Sequence, residues 1–317
     1  MEVTILGRIG YDLISEEPHV KLPHVRRFSR YLGGSSANMA VGLARLGARA
    51  GMVSALGEDA LSDFLVEFLE AERVDVRHVH RVPGYLPSLA LTEVAPPNRF
   101  PQVFYRHDAV DMMLRVTEDD LSYIARRGML VTNGTSLCAS PSRESTYLAL
   151  ERAQQAGCKV VFDVDYRAMS WPDATAAGQA VRLALPFIDV LIGNQPELRL
   201  VAGEEDLDRA TEILRERVPM VVSKLGDQGT RVWQNGDSCF LPPYAVEVVS
   251  TIGAGDGFAS GFLYALLRGK PVSECLHYGN AAAAVVVSRL SCSEAMPTLE
   301  EVETMVHSRQ KEEARGV

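Results

Sequence analysis

A carboxylate placed at the start of a helix, behind a run of small residues, can do chemistry. Ser250-Thr251-Ile252-Gly253-Ala254-Gly255-Asp256-Gly257-Phe258 has that form. The apolar run Val246 to Val249 precedes it, and Phe258, Phe262, Leu263 and Leu266 follow on one side of a helix. The spacing therefore predicts a strand, a tight turn and a helix start. Small residues let backbone close on a ligand, and free N–H groups at a helix N-terminus attract anions. Asp256, in the first turn, could take a proton from a hydroxyl. An anion cradle beside a base is suited to phosphoryl transfer, where positioning and charge stabilisation carry most of the catalysis. The plainer reading is a tight turn with Asp256 capping the helix. The rest of the chain has to decide between them.

A second set of small residues opens another helix: Gly33-Gly34-Ser35-Ser36-Ala37-Asn38, closing at Gly47. The Asn38 amide can donate to and accept from a polyol, or it can satisfy its own helix end. Further candidates fall where apolar strands run out. Lys159 to Asp165 ends in acids, with Arg167 just beyond, Asp189 to Gly193 opens into Asn194-Gln195-Pro196-Glu197, and Met220 to Gly226 carries Lys224.

These pieces need a frame. From Thr117 onward strands alternate with helices: a capping box at Thr117 to Asp120, a strand at Met129 to Thr132, and helices near 141–156, 173–185 and 204–217. That alternation implies an α/β fold with a mostly parallel central sheet and helices on both faces. Ligands bind such sheets beyond the C-terminal strand ends, where Asp165, Arg167, Asn194, Glu197, Lys224 and the Gly-rich turn all fall. Residues 74 to 106 differ. Val76 to Val79, Ser88 to Val94 and Gln102 to Arg106 read as strands without intervening helices, and 13–32 as extended pieces. These predict an antiparallel flap, formed by segments near 12–32 and 76–108, on a single domain spanning 1–317. His78, His80 and His107 lack ligand-like spacing and read as solvated. The Leu61, Phe64, Leu65, Phe68, Leu69 stripe reads as core. An alanine-rich helix at Glu274 to Leu290 and another from about Leu299 close the chain, with a frayed tail after Arg309.

Composition excludes several classes. The 317 residues are 47% hydrophobic with net charge −9 and no basic stripe, so nucleic-acid binding is not expected. Five scattered cysteines without a C-x-x-C pair fit reduced thiols. No apolar run reaches membrane-spanning length, and the chain enters a strand at Val3, so a cytoplasmic location is expected. Gly7-Arg8-Ile9-Gly10 lacks the full dinucleotide fingerprint, which disfavours a dehydrogenase.

Taken together, Gly33-Gly34, Asn38 and Gly47 followed by Ser250-Thr251-x-Gly253-Ala254-Gly255-Asp256 and Ser260-Gly261 resemble the ribokinase-like (PfkB) carbohydrate kinases over nearly the whole chain. Asn194-x-x-Glu197 matches a third family element. Tyr31 to Ser35, Pro96 to Pro101, Phe104 to Arg106, Phe162 to Arg167 and Arg289 to Thr298 are similar to one branch, which phosphorylates 5-dehydro-2-deoxy-D-gluconate in inositol catabolism. The resemblance implies a ribokinase-like fold with a small β-strand lid, and ATP and Mg2+ as reaction partners. Asp256 would be the base, and the N–H groups of Gly253, Ala254 and Gly255 the phosphoryl cradle. Asp12, Gly33, Gly34, Asn38 and Tyr105 would hold the substrate, with Arg106 and Arg167 on its carboxylate; the plainer reading of each arginine is a structural salt bridge, Arg167 with Asp163 or Asp165. Asn194, Ser223, Lys224, Gly226, Gly229 and Asn280 would line the nucleotide, and Glu197 would serve the metal. A homodimer through the lid is also implied. Ser250 stands where many relatives carry an Asp associated with a monovalent cation, so the resemblance does not extend to that cation. A kinase for 2-dehydro-3-deoxygluconate, a fructokinase-type enzyme and a non-catalytic sugar-acid sensor are the competing expectations.

Overall fold

A computed structural model describes residues 2–96 and 99–315. Pro97 and Asn98 of the proline-bearing turn, and Gly316 and Val317 of the tail, lie outside the described residues. The elements in chain order are β1 (Glu2–Leu6), β2 (Gly10–Ser15), β3 (Phe28–Gly33), α1 (Ser35–Arg45), β4 (Arg49–Leu56), α2 (Ala60–Ala71), β5 (Asp75–Arg81), β6 (Ser88–Thr92) and β7 (Gln102–Tyr105). Next come α3 (Glu118–Ala125), β8 (Met129–Asn133), α4 (Ser142–Gln155), β9 (Lys159–Asp163), α5 (Ala174–Ala184), β10 (Val190–Asn194), α6 (Gln195–Ala202), α7 (Leu207–Arg215) and β11 (Met220–Lys224). The last are β12 (Thr230–Gln234), β13 (Asp237–Leu241), α8 (Ala254–Leu267), α9 (Val272–Val287) and α10 (Leu299–Arg315).

The main sheet runs β13-β12-β11-β10-β9-β8-β1-β4-β5. It is parallel from β5 to β11 and antiparallel only at the β11-β12-β13 edge. Central strands such as β1, β8 and β9 are apolar and buried on both faces, as a parallel sheet covered by helices requires. The order reverses between β1 and β8, which makes the crevice beyond their C-terminal ends the natural ligand site. No helix among the described residues is long and apolar enough to cross a membrane.

A second sheet, β3-β2-β6-β7, rises from that crevice. It is the flap, with two differences from expectation. Its central pair, β2 and β6, is parallel, so the sheet is mixed. And β5, expected in the flap, pairs with β4 at the edge of the main sheet.

Other expectations change too. Val246 to Val249 is coil, with Val248 and Val249 exposed. Pro242 and Pro243 interrupt the chain after β13, no strand pairs with this stretch among the described residues, and the Val249 and Ser250 N–H groups donate instead to Val287 O. Where the strand is expected to open at Asn194 to Glu197, the chain instead enters α6, with Asn194 and Glu197 forming its capping box and Pro196 in its first turn. The C-terminal helix continues past Arg309 to Arg315. His78 and His80 are not solvated: both bind Asp120, while His107 is exposed. In the α2 stripe Leu65 and Leu69 are core, whereas Leu61 is exposed.

Candidate active site

The Gly-rich turn leads directly into α8, with Gly253 at the N-cap in the left-handed region (φ 79°). Asp256 sits in the first turn and faces α1. Ser35 Oγ donates to its Oδ1 at 2.7 Å and Asn38 Nδ2 to its Oδ2 at 2.8 Å. The helices can meet because α1 carries Gly42 opposite Ser260; a Cβ there would collide with the serine, whose Oγ donates to Asp256 O. Thus the two motifs, more than 200 residues apart, share one carboxylate. Burial, then the charge of Asp165, raises the Asp256 pKa to about 6 against the pull of the Asn38 and Ser35 donors. A carboxylate raised this far could exchange a proton near neutral pH.

Asp12, on β2, lies over Gly33, where any side chain would strike its carboxylate. Burial raises its pKa, and Arg8 and Arg167 oppose the rise. Asp12 Oδ1 and Asn38 Oδ1 are both buried without a hydrogen-bond partner. Such acceptors suit the hydroxyl donors of a polyol, since a buried unpaired acceptor is costly unless a ligand completes it.

The sheet ends supply the charges. Lys224 Nζ binds Asp163 at 2.9 Å and 3.1 Å. Burial works against the lysine's charge, but Asp163 and Glu197 outweigh it and hold the ammonium on. A Cβ on Gly255 would lie 3.4 Å from that Nζ, so the ammonium flanks the α8 N-terminus. Glu197 accepts from Asn194 N (2.7 Å) and Tyr166 N (3.0 Å), and Asn194 Oδ1 accepts from Glu197 N (2.9 Å). Burial raises the Glu197 pKa, with Lys224 opposing. Arg167 pairs with Asp165 at 2.9 Å, and Asp165 itself holds a left-handed backbone (φ 36°), a strained conformation that clusters at functional sites. Asp165, then Asp256 and Glu197, keep the Arg167 guanidinium charged.

The structure does not bring every expected residue to this cluster. Arg106 is buried and engaged by Asp111 (2.6 Å), Thr135 O (3.0 Å) and Ser170 Oγ (2.9 Å), leaving its Nε unpartnered. Tyr105 is 65% exposed on β7. The Asn280 amide is spent on Thr230, Leu241 O and Pro242 O, tying α9 to the end of β13. Gly226 and Gly229 shape the β11–β12 turn (φ 65° and 107°), and Ser223 is buried with its Oγ unpartnered. Sequence reading did not single out Ser35 as a partner of Asp256, Asp163 as the partner of Lys224, or Arg8. Ser35 lies three residues before Asn38, one helical turn away, so the helical spacing puts both on the face of α1 that meets Asp256; nothing in the spacing pairs Asp163 with Lys224.

Against known proteins, the description "pfkB family carbohydrate kinase" matches residues 2–299. A 5-dehydro-2-deoxygluconokinase of Geobacillus kaustophilus is 34% identical over 313 residues, covering 96% of this chain and 93% of the relative. One of Clostridium tetani is 34% identical over 325 residues, covering 100% and 96%. Among solved structures, a fructokinase of Xylella fastidiosa with bound ATP superposes with a TM-score of 0.86 at 24% identity, covering 97% of this chain and 99% of that one. An E. coli ribokinase II in complex with ATP and Mg2+ gives 0.89 at 22% identity over the same shares. The Gly-rich turn, its carboxylate and the two-sheet architecture thus sit within a match that runs nearly end to end, and the chain belongs to the pfkB family of carbohydrate kinases.

Proposed function

We propose that this carbohydrate kinase transfers the γ-phosphoryl group of ATP to the terminal C6 hydroxyl of 5-dehydro-2-deoxy-D-gluconate, in the cytoplasm, as a step of inositol catabolism. The observation that carries the reading is Asp256: a carboxylate with its pKa raised to about 6, held by Ser35 and Asn38 at the N-terminus of α8. The names of the full-length relatives supply the acid.

Asp256 accepts the proton of the acceptor hydroxyl as that oxygen attacks. The Gly253, Ala254 and Gly255 N–H groups face the phosphoryl group as charge builds on it. Asp12 and Asn38 accept from substrate hydroxyls through their unpartnered oxygens, over Gly33 and Gly34. Lys224 flanks the phosphates, and the turn through Gly226 and Gly229, with Ser223 and Asn280 behind it, borders the nucleotide. Asn194 and Glu197 fit a Mg2+ that keeps most of its waters. Both Glu197 oxygens already accept a backbone N–H, and no cage of three or more acidic, His or Cys ligands exists among the described residues. When bound, the ion neutralises charge on the phosphates. Arg167, and Arg106 through its Nε, face the acid end of the substrate. The flap, with Tyr105, closes over the site and limits hydrolysis. Leu86, Val103 and Tyr105, exposed at 64%, 46% and 65%, would be covered by a second copy.

A coupled assay of ADP release over sugar acids and neutral ketoses tests the substrate. The proposed acid should give the highest kcat/KM. A higher value for fructose overturns the acid assignment, and no turnover with any sugar favours a sensor instead.

A further inference from the structure

Two of the three arginines around the crevice carry their own counter-charge: Arg106 holds Asp111 and Arg167 holds Asp165. Arg8 does not. It follows β1 by two residues and lies beside the point where strand order reverses. Its side chain folds back over Gly10, where a Cβ would collide with Nη1. Nη1 donates to Ser88 Oγ at 2.8 Å, and among the described residues that is its one hydrogen-bond partner, with no carboxylate in ion-pair range. Gly10 and Ser88 are the first register pair of β2 and β6, so the guanidinium is braced at the root of the flap. Asp12, Asp111 and Asp165 act on it only through space, while burial and Arg106 work against its charge.

A half-buried guanidinium with most of its fork unused is poised for a planar anion, because arginine matches a carboxylate bidentately and its charge is costly to bury alone. Arg106 offers only one buried N–H by comparison. We propose that Arg8 is the specificity-determining residue for acid substrates: its free fork takes the substrate carboxylate while Asp12, on the neighbouring strand, takes a hydroxyl. This rests on the sugar-acid reading. It also gives Arg106 a different task, holding the Asp111–Ser170 wall behind that carboxylate.

The full-length enzyme tests it, with steady-state kinetics on 5-dehydro-2-deoxy-D-gluconate and on fructose for wild type, Arg8→Gln and Arg8→Lys. Arg8→Gln should raise KM for the acid about 30- to 100-fold with little change in kcat, the size expected for losing a charged hydrogen-bonded pair. Its kcat/KM for fructose should stay within about twofold of wild type, since a neutral sugar presents no carboxylate to lose. Arg8→Lys keeps the charge without the fork and should recover part of the acid affinity; it serves as the reading if Arg8→Gln does not fold. Equal losses on both sugars would make Arg8 a structural brace and overturn the inference, as would an unchanged acid KM. Those outcomes leave the acid reading standing if wild type still prefers the acid. A wild type that prefers fructose removes both.

Discussion

Asp256 and Asp120 are both carboxylates in the first turn of a helix, both close to buried charge, and they titrate in opposite directions. Asp120, at the third position of α3, accepts from Thr117 N (2.7 Å), Thr117 Oγ1 (2.8 Å), His78 Nδ1 (2.7 Å) and His80 Nε2 (2.8 Å). Burial alone would raise its pKa, but His80, the Thr117 N–H and His78 together hold it far below the usual carboxylate range. Asp256 has two neutral donors and faces Asp165 and Asp163, so burial wins and the pKa climbs to about 6. A helix N-terminus does not by itself make a base. Like charges and a shortage of donors do, and they do so at a cost in stability that Asp120 does not incur.

The sharpest break of this comparison is Asp256→Asn. It should lower kcat by about 10³-fold or more, since a positioned general base contributes roughly 10²–10⁴ and the substituted amide cannot take the proton. Nucleotide affinity, read by calorimetry, should stay near wild type. Turnover close to wild type would mean that Asp256 only caps α8. Asp120→Ala should act in the other coordinate. Removing the partner of two histidines and a helix cap should destabilise the fold by about 3 kcal/mol, seen as a lower denaturant midpoint, with kcat per folded molecule unchanged.

The two regions were unequally legible in the sequence. The place of Asp256 in the first turn of α8 is legible because the small residues and the carboxylate are consecutive in the chain. The same holds for the Thr117 capping box and for the alternation that gives β8 to β11. The Asp120 clasp could not be read, since His78 and His80 reach it from another strand: alternate residues of β5 meet α3 only after the sheet forms. Lys224 and Asp163 are joined across β10 in the same manner, as ends of separate strands. Val246 to Val249 shows the converse failure. Its β-branched composition is local, but a strand needs a neighbour, and the coil after Pro243 has none among the described residues. Arg8 looked like part of an incomplete dinucleotide turn; its lack of a counter-charge exists only in three dimensions.

A smaller effect distinguishes the carboxylates by sign. The folded-state pKa of Asp256 is raised, so ionising it opposes folding. That penalty grows as pH rises through the ordinary carboxylate value and is complete above about 6. Asp256→Asn should therefore be more stable than wild type at neutral pH, by about 1 kcal/mol after allowance for partial solvent screening, and the gain should vanish near the ordinary carboxylate pKa. The activity of wild type should fall on acidification with an apparent pKa of about 6 in kcat/KM, as the base protonates. A profile flat through that range would separate Asp256 from the rate, and a variant less stable than wild type would show that Ser35 and Asn38 stabilise the charge more than burial opposes it.

His80 offers the finest test of the clasp. Its hydrogen bond to Asp120 raises its pKa, with burial opposing. A raised histidine stabilises the fold fully below its unfolded value and loses that contribution as pH rises through the folded one. Asp120, by contrast, is depressed, so its contribution is present above the ordinary carboxylate range and fades only in strong acid. The ion pair is thus complete only between those limits. His80→Gln keeps a donor for Asp120 but no charge, so it should cost below about 1 kcal/mol, given that the His80 side chain is partly exposed. The loss should be present in mildly acidic buffer and shrink toward alkaline pH, where wild-type His80 is neutral as well. If the cost were the same at both ends of that range, His80 would be acting as a neutral hydrogen-bond donor. The depression of Asp120 would then have to come from Thr117 and His78, which hold the carboxylate from the capping box and from the buried side of β5.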